Sequence, residues 1–328
     1  WGLVQSAWAS APGTSFEPLE YEYDSPGGLT RVAGAQSGVD WVSSVSIDPV
    51  DGQLLGWESL GGRMTHEFEY GTDRRLRAVL GAVLPSGSSG PMLPMVDLEL
   101  GYDSAGRIRT KNDLLTASSE TFGYDLLGRL TRAGGPTAGY ERDVDYDALG
   151  NIVWNSAWLD AGQADYAYTR GPGPHAVRSI GTHSGFDYDA SGAISARWRV
   201  GTEVWSSTYR YGSDGRLRST TRTDGETGIE TTTSGAVDAF KRRVARVVEV
   251  DGVPTSELLR PNQQVELRDG VAVRTIWAGG RRIAETSAAL VGPGATATFF
   301  WEDHQGQQVA AAEVGDLLSP TLSVVATS

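Results

Sequence analysis

The sequence predicts an all-β chain of tandem antiparallel β-hairpins. Three observations predict it. A short frame returns through most of the 328 residues, turn-forming residues hold fixed places inside that frame, and side chains alternate with a period of two around it. "YDLLGRL" occupies residues 124–130, "YDSAGRI" stands twenty-two residues before it and "YDALGNI" twenty-two after. Self-similarity at a fixed interval of this length marks an array built from one supersecondary unit.

Aligned on the aromatic residue, the frame occurs seven times. The first copies are Tyr23-Asp24…Gly27…Leu29, Tyr70…Leu76, Tyr102-Asp103…Gly106…Ile108 and Tyr124-Asp125…Gly128…Leu130. Then follow Tyr146-Asp147…Gly150…Ile152, Tyr188-Asp189…Gly192…Ile194 and Tyr211…Gly215…Leu217. An aliphatic residue stands six after Tyr in all seven, Gly four after it in six, and Asp directly after it in five. Ile47-Asp48…Gly52…Leu54 reads as an eighth, stretched copy.

A hairpin accounts for each part of the frame. Asp closes the first strand and accepts hydrogen bonds from backbone amides two residues on, as an Asx-turn does. Gly supplies the positive φ that ends a type I turn with a G1 bulge. The second strand restarts at the aliphatic residue, so Tyr and its partner at plus six pack across the hairpin on one face. Phe122/Tyr124, Val144/Tyr146 and Phe186/Tyr188 keep a period of two before the turn, and Ile152/Trp154 and Ile194/Trp198 are expected to keep it after. Gly and Asp in every unit would break a helix. From Tyr102 to Tyr211 the steps are 22, 22, 42 and 23 residues, and the 42 reads as two units with Tyr166/Tyr168 in the middle place.

Composition agrees with a sheet protein. Hydrophobic residues make up 39% and charged residues 21%, and Trp and Tyr far outnumber Phe. The net charge of −13 argues against nucleic acid as a partner, because that affinity is built on Lys and Arg neutralising phosphates. Two basic clusters, Arg216/Arg218/Arg222 and Lys241/Arg242/Arg243/Arg246, read as solvated strand faces. The absence of Cys removes disulfides and thiol chemistry. No apolar run reaches the length of a membrane-spanning helix, and no signal peptide is visible at the start "WGLVQSAWAS".

These hairpins resemble the YD repeats of the Rhs/YD-repeat superfamily, which includes bacterial polymorphic toxin shells, insecticidal toxin complex B and C components, and teneurins. Three further stretches carry the resemblance. They are "GPGPHAVRSIG" at 171–181, "VDAFKRRVARV" at 237–247, and "TFFWEDHQGQQVAAAEVGD" at 298–316, which keeps Asp303, His304 and Gly306. The resemblance implies four parts: an N-terminal segment (1–20), a YD-repeat array (21–235), terminal hairpins like those of the Rhs core (236–316) and a C-terminal tail (317–328). It further implies a curved or spiralling ribbon forming part of a hollow shell, in a secreted or cell-surface setting. The "DPxGL" region that closes the core in many members has no match after Asp316. A 22-residue hairpin gives about 11 residues per strand, hence roughly 30 strands at about 4.8 Å each. That band, on the order of 140 Å long, makes about one turn of wall around a 100-residue domain.

Candidate chemistry is sparse. His66, His175, His183 and His304 lack the close spacing of a zinc site. Glu302-Asp303-His304 reads as a turn-closing Asp beside a packed His. Asp143/Asp145/Asp147 read as strand charges that discourage edge pairing. No phosphate loop, "GxSxG" or "HExxH" occurs. The Trp residues read as large members of cross-strand pairs on one side of the ribbon, and a glycan platform is the alternative. No catalytic, cofactor or metal residues are assigned. The expected function is a non-catalytic shell segment that encloses a C-terminal toxin or other cargo polypeptide, partnered by that cargo and by further shell segments. The alternative is an extracellular adhesion module that binds a glycan or a cell-surface receptor.

Overall fold

The computed structural model of the chain describes residues 6–7, 10–11, 14–25, 27–85, 88–157, 165–168, 173–201, 203–238, 240, 242–260, 264–287, 296–315 and 321–327. Among them lie 31 strands and no α-helix. Most strands pair antiparallel with the next in the chain, whereas Ser6–Ala7 pairs with Leu19–Tyr23. The chain forms two compact units, one of residues 1–119 with 261–328, the other of residues 120–260.

The first unit has a conventional apolar core. Alternation along strands Met64–Tyr70 and Leu76–Val83 places Met64, His66 and Phe68 opposite Val83, Gly81 and Val79. Met64, Phe68, Val79 and Val83 join Leu19, Val32, Trp41, Val96, Ile276, Phe299 and Trp301 in one buried cluster. Two contacts close it. The indole Nε1 of Trp301 donates to the Thr65 carbonyl over 2.9 Å, and Trp41 stacks on Phe299 with centroids 5.7 Å apart. Gly81 makes room for that indole, since a Cβ at this position would overlap the Trp301 ring. Burying each such large side chain contributes about 1.5–3 kcal/mol.

The second unit holds together differently. Its buried apolar side chains, among the described residues, are Ile180 and Phe186 alone. The hydrophobic effect that secures the first unit is therefore weak within the second, although thirteen consecutive strands from Ser118–Tyr124 to Val253–Leu259 lie in it or open it. Backbone ladders and links from hairpin to hairpin have to supply the cohesion.

Candidate functional site

The repeated hairpin is the candidate site, and its geometry begins at the turn. In the Tyr124 hairpin the amide of Asp125 donates to the Arg129 carbonyl over 3.0 Å, and the amide of Gly128 donates to the Asp125 carbonyl over 3.0 Å. The same two bonds close the turns at Asp24, Asp103, Asp147, Asp189 and Asp303. The glycine three residues after Asp has positive φ throughout: Gly27, Gly106, Gly128, Gly150, Gly192 and Gly306, with Gly215 in the Tyr211 hairpin. In the Tyr70 hairpin that place is taken by Arg74, which adopts φ 61° all the same. Two-residue pairing register outweighs the roughly 1–2 kcal/mol that this conformation costs a residue with a Cβ.

The aspartate side chain caps the turn. Asp103 Oδ1 accepts from the amides of Ala105 and Arg107 at 2.9 and 3.0 Å, while Oδ2 accepts from Arg107 Nε at 2.7 Å. Asp125 repeats the set with Leu127 and Arg129, and Asp147 repeats it with Leu149 and Asn151. The Arg107 amide, followed by its guanidinium, holds the Asp103 carboxyl below the usual carboxylate range. At Asp189 the Ser191 hydroxyl and the Ala193 amide do the same. At Asp125 partial loss of water pushes upward, yet the amide and guanidinium of Arg129 leave the group lowered. The hairpins that lack Asp after Tyr move the carboxylate two places on. Asp73 binds the Arg75 amide and Arg77, and Asp214 binds the Arg216 amide and Arg218.

Each Tyr lies directly opposite its aliphatic residue. The register pairs Tyr23 with Leu29, Tyr70 with Leu76, Tyr102 with Ile108 and Tyr124 with Leu130. It likewise pairs Tyr146 with Ile152, Tyr188 with Ile194 and Tyr211 with Leu217. The stretched copy pairs Ile47 with Leu54. In every one a β-bulge follows, with one extra residue on the second strand just past the aliphatic position. A bulge shifts the alternation by one residue. Trp154 consequently pairs with Asp145 and Trp198 with Gly185, on the face opposite Ile152 and Ile194. This corrects the expectation that Ile152/Trp154 and Ile194/Trp198 share a face, and with it the idea that the Trp residues line one side.

The tyrosine hydroxyl reaches beyond its own hairpin. Tyr70 Oη donates to the Leu54 carbonyl over 3.1 Å, Tyr102 to Leu76 over 2.7 Å, and Tyr146 to Leu130 over 2.7 Å. Tyr168 donates to Ile152 over 2.8 Å, which makes it the member of the 42-residue step that fills the middle place. Tyr188 donates to Val177 over 2.7 Å and Tyr211 to Ile194 over 2.8 Å. With the exception of Val177, every acceptor is the aliphatic residue of the preceding hairpin. Burial raises the Tyr102, Tyr188 and Tyr211 hydroxyls above their ordinary pKa, so they remain donors well into alkaline solution.

Sequence reasoning passed over the arginine five residues after Tyr. Arg129 donates to Asp125 in its own turn, donates to the Asp147 carbonyl of the next over 3.1 Å, and lies 4.5 Å from the Tyr146 ring centre. Arg75 takes the corresponding place over Tyr102, at 5.7 Å. The signal was present, because Arg75, Arg107, Arg129 and Arg216 stand at the same offset. Asn151 substitutes for it in the Tyr146 hairpin. Its Nδ2 donates to Asp147 and to the Pro174 carbonyl, so its Oδ1 is the acceptor for His175 Nδ1 at 2.6 Å. That contact docks "PHAV" on the turn.

The other polar residues that the sequence singled out take the following places. Asp303 caps its turn through the amides of Gln305 and Gln307, and His304 Nδ1 lies 3.9 Å from Asp303. Glu302 lies 3.3 Å from Arg281, and burial raises its pKa. His66 is buried, stacked 4.2 Å from Trp57, and neither ring nitrogen has a hydrogen-bond partner among the described residues. Asp143 faces Arg132 across the ladder. Trp41 and Trp301 are buried, and Trp277 is exposed. Trp1, Trp8, Trp158 and Lys241 lie outside the described residues.

No family model and no curated protein matches the sequence. Solved structures do. The chain is similar to part of a Photorhabdus luminescens Tc holotoxin pore, at 14% identity and a TM-score of 0.52, over 97% of this chain and 17% of that one. It is also similar to a TcdB2-TccC3 structure without its hypervariable C-terminal region, at 15% identity and 0.54, over 94% and 16%. A TcdB2-TccC3-Cdc42 structure matches at 14% identity and 0.54. The chain thus spans about a sixth of the chains it resembles. At this identity the likeness establishes the fold alone: an antiparallel hairpin array like the one in part of those toxin structures.

Proposed function

We propose that the chain is a wall segment of a toxin-related shell, which encloses a polypeptide and acts sterically, without turnover. The observation that carries this reading is the chain of Tyr hydroxyl bonds from one hairpin to the backbone of the one before it. Such a link extends a sheet edge to edge without needing a second layer, which is what a thin wall requires. The second unit meets that requirement with almost no apolar core of its own. The fold shared with Tc toxin chains supports the toxin-related setting, with further shell segments and a cargo polypeptide as the partners.

Protease protection tests the proposal. The natural gene product, with whatever flanks this segment, is treated with a nonspecific protease before and after denaturation. The proposal expects a polypeptide segment that survives under native conditions and is digested only once the hairpin array unfolds. Digestion of every segment outside the array at the same rate, folded or not, would refute enclosure.

A further inference from the structure

The strand register of unit 120–260 sorts side chains onto two faces, and charge is sorted with them. The face that carries the repeat tyrosines also carries Arg142, Arg197, Arg199, Arg222 and Arg246. The opposite face carries Glu141, Asp143, Asp145, Asp187, Glu230 and Glu249, with Arg132 and Arg210 among them. The acids on the tyrosine face are already engaged. Glu120 accepts from the Tyr140 hydroxyl, and Asp224 accepts from the amides of Glu226 and Thr227 in its own turn. In a chain of net charge −13, this unit therefore presents one predominantly cationic sheet face.

Four residues on consecutive strands of that face form a ladder. Arg197 lies 5.4 Å from the ring centre of Phe186 and 5.0 Å from that of Trp205, and Arg222 lies 4.8 Å from Trp205. Neither arginine forms an ion pair within 4 Å among the described residues, although Arg222 lies near enough to Asp224 to help lower its pKa, and Arg197 Nε is buried without a hydrogen-bond partner. The rings hold the guanidinium planes in place, a preorganisation that lowers the entropy lost when a ligand is bound. Because guanidinium groups already cover the Trp205 ring, it offers no open face for a sugar or a base. What the ladder offers is fixed donor forks, which suit carboxylates in bidentate pairs. A nucleic acid would need many more phosphates neutralised than two guanidinium groups supply. Arg197 and Arg222 sit two strands apart, about 9.6 Å, a separation that a short acidic segment spans.

We propose that the Phe186–Arg197–Trp205–Arg222 ladder is a docking surface for an acidic polypeptide segment, whose Asp and Glu carboxylates pair with Arg197 and Arg222. The inference stands whether or not the chain encloses cargo.

Titration of fluorescein-labelled deca-glutamate at low ionic strength, read by anisotropy, tests it. Saturable binding is expected, weakened tenfold or more by the double substitution Arg197→Gln with Arg222→Gln. Arg197→Lys with Arg222→Lys keeps the charge and loses the fork, and is expected to weaken binding several-fold while the far-ultraviolet circular dichroism is unchanged. Asp145→Asn with Glu249→Gln, on the other face, is expected to cause no loss. The proposal is overturned by absence of saturable binding, by equal affinity in wild type and both arginine doubles, or by a ten-residue oligothymidylate binding as tightly through the same two residues.

Discussion

The phenolic hydroxyl of Tyr146 donates to the backbone carbonyl of Leu130, 2.7 Å away, and these two residues belong to different hairpins. Arg129, next to Leu130, lies over the same ring at 4.5 Å and donates to the Asp147 carbonyl. The end of one hairpin thereby grips the start of the next from two sides. Bonds of the same kind at Tyr102, Tyr168 and Tyr211 make this a rule of the array.

The turn aspartates separate capping from ion pairing. Asp125→Ala leaves the Leu127 and Arg129 amides without their acceptor and is expected to lower the unfolding midpoint. Asp125→Asn retains an acceptor oxygen for those amides and loses only the part-buried pair with Arg129, so its midpoint loss is expected to be the smaller. Urea unfolding of the two variants checks the order, and equal losses would mean that the charge does the capping.

Acid is expected to destabilise the fold in two stages. An unfolded His ionises near 6.5, whereas burial and then the nearby Arg281 hold His66 down to about 3. The unfolded state alone binds this proton in between, so stability falls as pH drops from about 6.5 toward 3. Between pH 7 and 4.5 the loss is roughly 2 to 3 kcal/mol. The turn aspartates act lower. Asp73, Asp103, Asp189, Asp214 and Asp238 sit below their ordinary 3.8 when folded, so their contribution is complete above about pH 4 and disappears as pH falls through the lowered values. His66→Leu is expected to abolish the first stage and leave the second, as read by thermal melts from pH 7 to 3.

Gly150 isolates the cost of turn conformation. Its φ is +87°, and a Cβ added there would touch nothing within 4 Å. Gly150→Ala is therefore expected to cost about 1–2 kcal/mol through backbone strain alone. Gly81 has no such strain, but the same change there would force the Trp301 indole from the core, and its midpoint loss in urea should be the larger of the two.

Much of the fold was legible because one hairpin is local. Tyr146, Asp147, Gly150 and Ile152 fall within seven residues, and each has a conformational or hydrogen-bonding reason for its place. The bulge after Ile152 was not legible, because it adds a residue to the ladder without any distinctive side chain, and the parity of Trp154 and Trp198 was misjudged as a result. The Tyr hydroxyl bonds were hidden too. Their acceptor is a main-chain carbonyl, which any residue carries, so no pattern of side chains announces it. Arg129 repeated visibly at its offset, yet its two partners lie in different hairpins and its role appears only when these are adjacent. The core of unit 1–119 with 261–328 depends on pairs such as Thr65 and Trp301, too distant in sequence for any local pattern to connect.

Native-state hydrogen exchange of Tyr146→Phe, Tyr188→Phe and Tyr211→Phe measures the hairpin-to-hairpin bond most directly, with Tyr209→Phe as the comparison. Each of the first three removes one hydroxyl and leaves a carbonyl of the neighbouring hairpin without its donor. The amides of the two strands on either side of each removed bond are expected to open more easily by about 1 kcal/mol, and Tyr209→Phe to change nothing. Protection unchanged in all three, or lost equally in Tyr209→Phe, would contradict the claim that these hydroxyls bind neighbouring hairpins together.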